Sequence, residues 1–520
     1  MKSCTLLTRF SLQAVGCLFP LIVSAQVGTF TVVDTGQVTC YDNTRAIAYP
    51  QPGQPFYGQD AEFAAHPPAY RDNGDGTVSD LNTGLMWSQG LDKTKLSLAE
   101  AKKTAATLKL AGYDDWRVPT IKELYSLMDF RGRTGTGGQS RGSAPADAIP
   151  YIDTDYFAFA YGDEAAGERY IDAQWLSSTE YVSTTMHGAK TLFGVNFADG
   201  RIKGYGYTLP GRDREKKFYV RYVRGGPYGE NSFVHNEDGT VTDTATGLVW
   251  MQADSGKGMN WEDALAYAEN LQLGGFDDWR LPTAKELQSI VDYTRSPDTT
   301  DSPAIDPVFA CTAIKNEGGA KDWAFYWTST THCDGPNVQA AYIAFGRALG
   351  RMHGQLMDVH GAGAQRSDPK TGEANPEGHG PQGDIVRVNN FVRCVRGGAA
   401  VFRAKAPASD PDAYPTQVVV DGHRYKPAES SSVRPRTGGM MRGQGQSNSD
   451  QGPGGMRGPG GNRPSFIEHL DRDGDGKVSR SEFDGPPNHF DVLDKNGDGT
   501  LTEDEAPSGP PPGRGVPPQR

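Results

Sequence analysis

Two short apolar runs open the ordered part of the pattern. Thr77-Val78-Ser79 and Leu85-Met86-Trp87 flank the turn residues Asn82-Thr83-Gly84, which predicts a pair of hairpin strands. Ser97 then precedes Glu100 by three residues, the spacing of a helix capping box. Leu98, Ala101, Ala105 and Leu108 follow at spacings of three and four, one face of a helix that Gly112 is expected to end. Thr120 and Glu123 predict a second capped helix. The runs QWLSST, TLFGVNF and YVRYV read as strands.

The same pattern returns 163 residues later. DGTVSDLNTGLMW (75–87) lies over DGTVTDTATGLVW (238–250), with nine of 13 positions identical. DDWRVPTIKEL (114–124) lies over DDWRLPTAKEL (277–287), with nine of 11 identical. Asn260 takes the cap position, with Trp261, Ala264, Ala268 and Leu271 as the helix face and Gly275 as its expected end. Thr283 and Glu286 repeat the second capping box, and FYWTST, AAYIAF and FVRCV repeat the strands. Helices followed by strands, twice, give an α+β fold class.

After Gly398 the pattern dissolves. Gln417 to Val420 is expected to add a strand, and residues 428–465 hold Gly, Pro, Ser, Gln and Arg with almost no aliphatic residue. Such a stretch cannot bury a core and reads as a linker. The domain reading is therefore a signal peptide (1–25), a first unit (26–227), a second unit (228–400), an extension and linker (401–465), a small acidic module (466–507) and a tail (508–520).

The signal peptide rests on Lys2 and Arg9 before the apolar stretch Phe10 to Val23, with Val23-Ser24-Ala25 as the small-residue cleavage site. A lipoprotein reading, through Ala14-Val15-Gly16-Cys17, is the alternative. Beyond it no run of about 20 apolar residues exists, so no membrane span is expected. The chain carries a formal net charge of −12, which disfavours general nucleic-acid binding. Cys40, Cys311, Cys333 and Cys394 remain after processing, and in an oxidising compartment four cysteines allow three pairings. Cys311–Cys333 and Cys40–Cys394 are the expected ones. The expected location is outside the cytoplasm: periplasm, cell surface or medium.

The most specific chemistry lies near the C-terminus. Calcium takes six to eight oxygen ligands, and a 12-residue EF-hand loop supplies them from positions 1, 3, 5, 7 and 12, with Gly at 6. DRDGDGKVSRSE places Asp471, Asp473, Asp475, Lys477 (through its carbonyl) and Glu482 there. DKNGDGTLTEDE places Asp494, Asn496, Asp498, Thr500 and Glu505. Val478 and Leu501, at position 8 of each, are expected to pair the loops through a short strand, over a core of Phe466, Leu470, Phe483, Phe490 and Leu493. Residues 466–506 carry 12 acids and four bases, so their carboxylates repel until a cation is bound. The shorter Asp72–Gly76 and Glu237–Gly239 stretches look calcium-like but lack the closing Glu, and read as hairpin turns.

Within the repeats, Arg117 and Arg280 are candidates to clamp an anion, and Trp116 and Trp279 to stack on a sugar. The structural reading is preferred: a Trp beside a helix start belongs in a core, and Glu123 and Glu286 are needed as caps. Arg221, Arg224, Arg393 and Arg396 are expected to pair with Asp114, Asp115, Asp277 and Asp278.

GTVSDLNTGLMW, GYDDWRVPTIKEL, a WLSST strand and a VRGG ending resemble the Lcl C-terminal domain family, and the second unit, from GTVTDTATGLVW to CVRGG, resembles it equally. The likeness covers roughly 70–226 and 231–398. The resemblance implies a C-type-lectin-like fold and, through the family's best-known member, an adhesin for sulfated glycosaminoglycans, attachment to acidic or sulfated polysaccharide. No G-x-S-x-G, H-E-x-x-H or phosphate loop is present, so catalysis is not expected. The expected function is a calcium-binding, glycan-attaching exported protein. A structural surface protein without soluble ligand, or an enzyme using paired carboxylates, are the alternatives.

Overall fold

The computed structural model describes residues 30–136, 143–208, 214–398 and 400–402, the strands Val418–Val420 and His423–Tyr425, and, of the C-terminal region, 476–480, 482, 490, 494, 496 and 498–502. The signal peptide, most of the linker, Asp471, Asp473, Asp475 and Glu505 lie outside the described residues, as do Phe466, Leu470, Phe483 and Leu493. The chain divides into two compact units, Met1–Ser431 and Ser432–Arg520.

The larger unit is mainly β with short helices. Each repeat builds a four-stranded antiparallel sheet, and the VRGG segment returns to close it. In the first the order is Val223–Arg224, Met86–Ser88, Thr77–Asp80, Tyr70–Asp72; in the second it is Val395–Gly397, Leu248–Met251, Thr240–Asp243, Phe233–His235. Val223 faces Trp87 and Val395 faces Trp250.

The helices are α1 (Leu98–Ala105), α2 (Ile121–Ser126), α3 (Trp261–Glu269) and α4 (Ala284–Ser289). Ser97, Thr120 and Thr283 cap α1, α2 and α4 through complete capping boxes, and Asn260 caps α3. The first helix of each repeat is shorter than its pattern predicts, so Leu108 and Leu271 lie past the helix. The chain instead turns back through the bridges Leu110–Tyr113 and Leu273–Phe276, and Gly112 (φ 81°) and Gly275 (φ 80°) serve those turns.

A third sheet joins the repeats. β1 (Gln174–Thr185), β2 (Ala189–Asn196) and β3 (Arg201–Gly206) come from the first; β4 (Phe325–Asp334), β5 (Asn337–Ala344) and β6 (Gln365–Pro369) come from the second. All six form one antiparallel sheet ordered β4-β5-β6-β3-β2-β1. The repeats meet where Ile202 of β3 faces Gln365 of β6. Gly204 is required beside that seam: its N–H donates to the His360 carbonyl at 2.8 Å, and a Cβ there would lie 2.5 Å from the same oxygen.

Burial follows the sheet. One apolar cluster runs through both repeats and includes Trp87, Leu124, Phe193 and Ile202 with Trp250, Leu287, Ile290 and Ile343. Two smaller clusters lie under α1, around Leu98 and Phe218, and under α3, around Trp261 and Trp327. The seam itself is polar. Arg201 donates to Asp334 at 2.6 Å and to Ser367 at 3.2 Å, and Lys203 to Asp199 at 2.6 Å. His332 lies between Ser367 Oγ and the Asp199 carbonyl, both at 2.9 Å, and burial pushes it down to about 3, so it is neutral.

The cysteine expectation is corrected. All four described cysteines are free thiols. Cys311 Sγ accepts from Arg393 at 3.2 Å, and Cys394 is enclosed in the apolar cluster under α3. Cys333 shares a hydrogen bond with Tyr41, and Cys40 is buried in the strand pair where it faces Ile47. Each sulfur is thus held in surroundings of its own, away from the pairing expected of it. No helix among the described residues is long and apolar enough to cross a membrane.

Candidate functional site

In the smaller unit the two acidic loops are held side by side. Strand Val478–Ser479 pairs antiparallel with Thr500–Leu501, with Val478 opposite Leu501. Both of those side chains and Phe490 are fully buried, and the Arg480 guanidinium lies 4.9 Å over the Phe490 ring. Gly476 and Gly499 have φ of 81° and 82°, the left-handed turn that position 6 needs and that a side chain resists.

In the second loop the Asp494 carboxylate accepts from the N–H of Asp498 at 3.1 Å and of Gly499 at 2.8 Å, wrapping the chain around it. Asn496 donates to Asp498 at 3.1 Å, and Asp498 accepts from Thr500 N at 2.9 Å. In the first loop Glu482 accepts from Ser479 N at 2.8 Å and Ser479 Oγ at 2.7 Å, which fixes the closing carboxylate. Hard oxygen donors in a wrapped turn suit a calcium ion. Lys477 directly precedes the first of the paired strands, and Thr500 opens the second, opposite Ser479. No group of three or more His, Cys, Asp or Glu forms a metal cluster among the described residues, which include neither loop whole.

The Trp and Arg of the Asp-Asp-Trp-Arg block are structural. Trp116 and Trp279 are each 4% exposed, with indole N–H groups donating to the carbonyls of Leu110 and Leu273. Arg117 grips Glu123 at 2.6 and 2.5 Å, and Arg280 grips Glu286 at 2.6 Å twice. Neither guanidinium is free for an anion.

The later arginines split. Arg224 and Arg396 pair with Asp115 and Asp278, but at the surface, and lie 3.7 and 3.6 Å over the Tyr113 and Phe276 rings. Among the described residues Arg221 and Arg393 have no carboxylate partner and feed buried backbone carbonyls instead: Ser88, Gln89 and Ala158 for Arg221, and Met251, Gln252, Ala253 and Ala310 for Arg393. That corrects the expected pairing: a guanidinium has five donors, and the chain ends that cross here leave carbonyls needing them. The Asp72 and Asp75 carboxylates accept from Gly74 N and Thr77 N, and Asp238 accepts from Thr240 N, which makes both stretches hairpin turns.

One basic cavity was not foreseen. About 200 Å³ in volume, it lies over the start of α1, and its lining sets Lys102, Lys190 and Lys216 against Glu180 and Glu215, beside Tyr207 and Phe218. Glu180 faces Lys190 at 3.2 Å and Lys102 at 3.8 Å. Lys216 lies 4.5 Å over the Tyr205 ring, and burial pushes it down to about 8, so it is still charged at neutral pH. These lysines come from three distant segments, and no spacing in the sequence connects them.

No curated protein and no solved structure matches this chain. The family model described as the Lcl C-terminal domain matches residues 76–224 and 239–360, one segment in each repeat. Together the two segments span just over half of the chain, and the protein therefore belongs to the Lcl C-terminal domain family, with the domain present twice in tandem.

Proposed function

We propose that this is an exported calcium-binding protein that attaches to acidic polysaccharide, with calcium held by an EF-hand pair in the C-terminal unit. The observation that carries the calcium reading is the strand pairing of Val478 with Leu501, which sets two Asp-rich loops back to back as an EF-hand pair requires. Calcium would be held by Asp471, Asp473, Asp475, Glu482 and the Lys477 carbonyl, and by Asp494, Asn496, Asp498, Glu505 and the Thr500 carbonyl. It would neutralise the local acid excess and order the unit. Outside a cell, where calcium is plentiful, such sites stay filled, so the role is stabilising rather than switching.

The glycan reading rests on the lysine cavity over α1 and on a C-type-lectin-like reading of the repeats. Three ammonium groups against the two carboxylates Glu180 and Glu215 leave a net positive charge for a sulfate or uronate, and Tyr207 and Phe218 offer ring faces for a pyranose. The test is binding of the full chain to a panel of sulfated, uronic-acid and neutral polysaccharides, with calcium and with a chelator. Saturable binding that falls with salt, and is weakened by Lys102→Ala with Lys190→Ala, supports the reading. Absence of binding to every acidic glycan refutes it and favours a structural surface protein.

A further inference from the structure

A second cavity, about 380 Å³, lies on the second repeat and has the opposite character. Its repeat-derived wall is Leu265, Ala268 and Glu269 at the end of α3, with Asp277, Asp278 and Trp279. The other wall comes from outside both repeats. An arm, residues 52–63, contributes Tyr57 and Phe63, and strand Val401–Phe402 contributes Phe402 by pairing with Phe63–Ala64. The arm is fastened by Gly53 N–H donating to Glu269 at 2.6 Å. Tyr57 and Phe63 each meet Phe402 edge-on, with centroids 5.7 and 5.8 Å apart. Phe402 is nonetheless 39% exposed, so a ring is left bare at the mouth.

The charges are unbalanced. Arg280 is committed to Glu286 and spends one face of Phe63, 5.4 Å away. Asp278 is neutralised by Arg396. Glu269 and Asp277 have no cation paired to them among the described residues, and both line the cavity. A ligand that fits must bring positive charge, N–H or O–H donors and an apolar face. A quaternary ammonium lacks the N–H donors, and a sulfated or uronic sugar has the wrong sign.

We propose that this cavity binds a protonated amino sugar, its ring stacked against Phe402 and Tyr57 and its ammonium and hydroxyls donating to Glu269 and Asp277. The site does not depend on the calcium or acidic-glycan readings.

The test is calorimetric titration of the full chain at pH 6 with three probes: a trimer of glucosamine, its N-acetylated form and cellotriose. The glucosamine trimer binds, and the two uncharged trimers bind about tenfold more weakly or worse. Glu269→Gln with Asp277→Asn lowers affinity for the charged trimer by about tenfold, and Phe402→Ser does likewise, because a ring face is lost. Near-UV circular dichroism confirms that both variants are folded; Asp277 and Phe402 are exposed, and Gln at 269 still accepts from Gly53. Equal affinity for the N-acetylated trimer, no binding of the glucosamine trimer, or binding unmoved in the folded carboxamide variant would each overturn the assignment.

Discussion

Lys122 donates to the backbone carbonyl of Ser289 at 2.7 Å, and its counterpart Lys285 returns the contact to Ser126 at 2.8 Å. Lys285 and Ser289 are Lys122 and Ser126 moved on by the repeat offset, so the bond is made twice about a local two-fold axis. That is the geometry of an isologous dimer interface, here inside one chain. The shared sheet and the shared core say the same: the two domains are one folding body.

Replacing one of these lysines should therefore be felt in both repeats. Lys285 is buried and also donates to the Asp34 carbonyl at 3.0 Å. Lys285→Ala strands two carbonyls and leaves a cavity, at about 2–4 kcal/mol. Urea unfolding followed by tryptophan fluorescence should show one cooperative transition moved to lower urea, with no step in which a single repeat melts.

The two Arg–Glu caps are chemically alike but differ in burial. The Arg280 and Glu286 side chains are 5% and 7% exposed, whereas Arg117 is 37% exposed over a buried Glu123. Arg280→Leu leaves a carboxylate charged and dry, at about 3–5 kcal/mol. Arg117→Leu leaves one that water can approach, and costs about 1–2 kcal/mol. Chemical denaturation of the two variants side by side checks the order.

Stability should fall as pH rises towards neutrality. Burial pushes Asp60, Glu62, Asp153 and Asp358 up to about 7 from ordinary values of 3.8 for Asp and 4.5 for Glu. Between pH 4.5 and 7 the folded chain holds these protons and the unfolded chain does not, so their stabilisation is lost across that window. Burial also lowers Lys122, Lys203 and Lys285 to about 8, a penalty that is full below pH 8 and relieved above it. The melting temperature should be higher at pH 5 than at pH 7.5. Asp60→Asn should narrow that difference, because Asn still accepts from Thr35 and Thr330, which bond Asp60 in the native protein.

Local signals in the sequence carried far. The hairpin at Asn82-Thr83-Gly84, the three capping boxes, the Asn260 cap and the Val478–Leu501 pairing were readable because each depends on residues a few positions apart or on a loop of fixed length. The joining of β3 to β6 was not readable, because an edge strand reads the same whether it meets solvent or another repeat. The lysine cavity and the aromatic cavity were hidden for a related reason: each collects residues that are far apart in the chain. Arg221 was misjudged because its partners are carbonyls, and every residue has one.

Calcium binding by the paired loops is the most direct test of the functional account. The measurement is isothermal titration of the full chain with calcium, beside Glu482→Gln with Glu505→Gln. The account predicts one ion per loop in the native protein, loss of that binding in the double variant, and an unchanged thermal transition for the larger unit. Calcium binding that survives both substitutions, or a native protein that takes up no calcium, would contradict it.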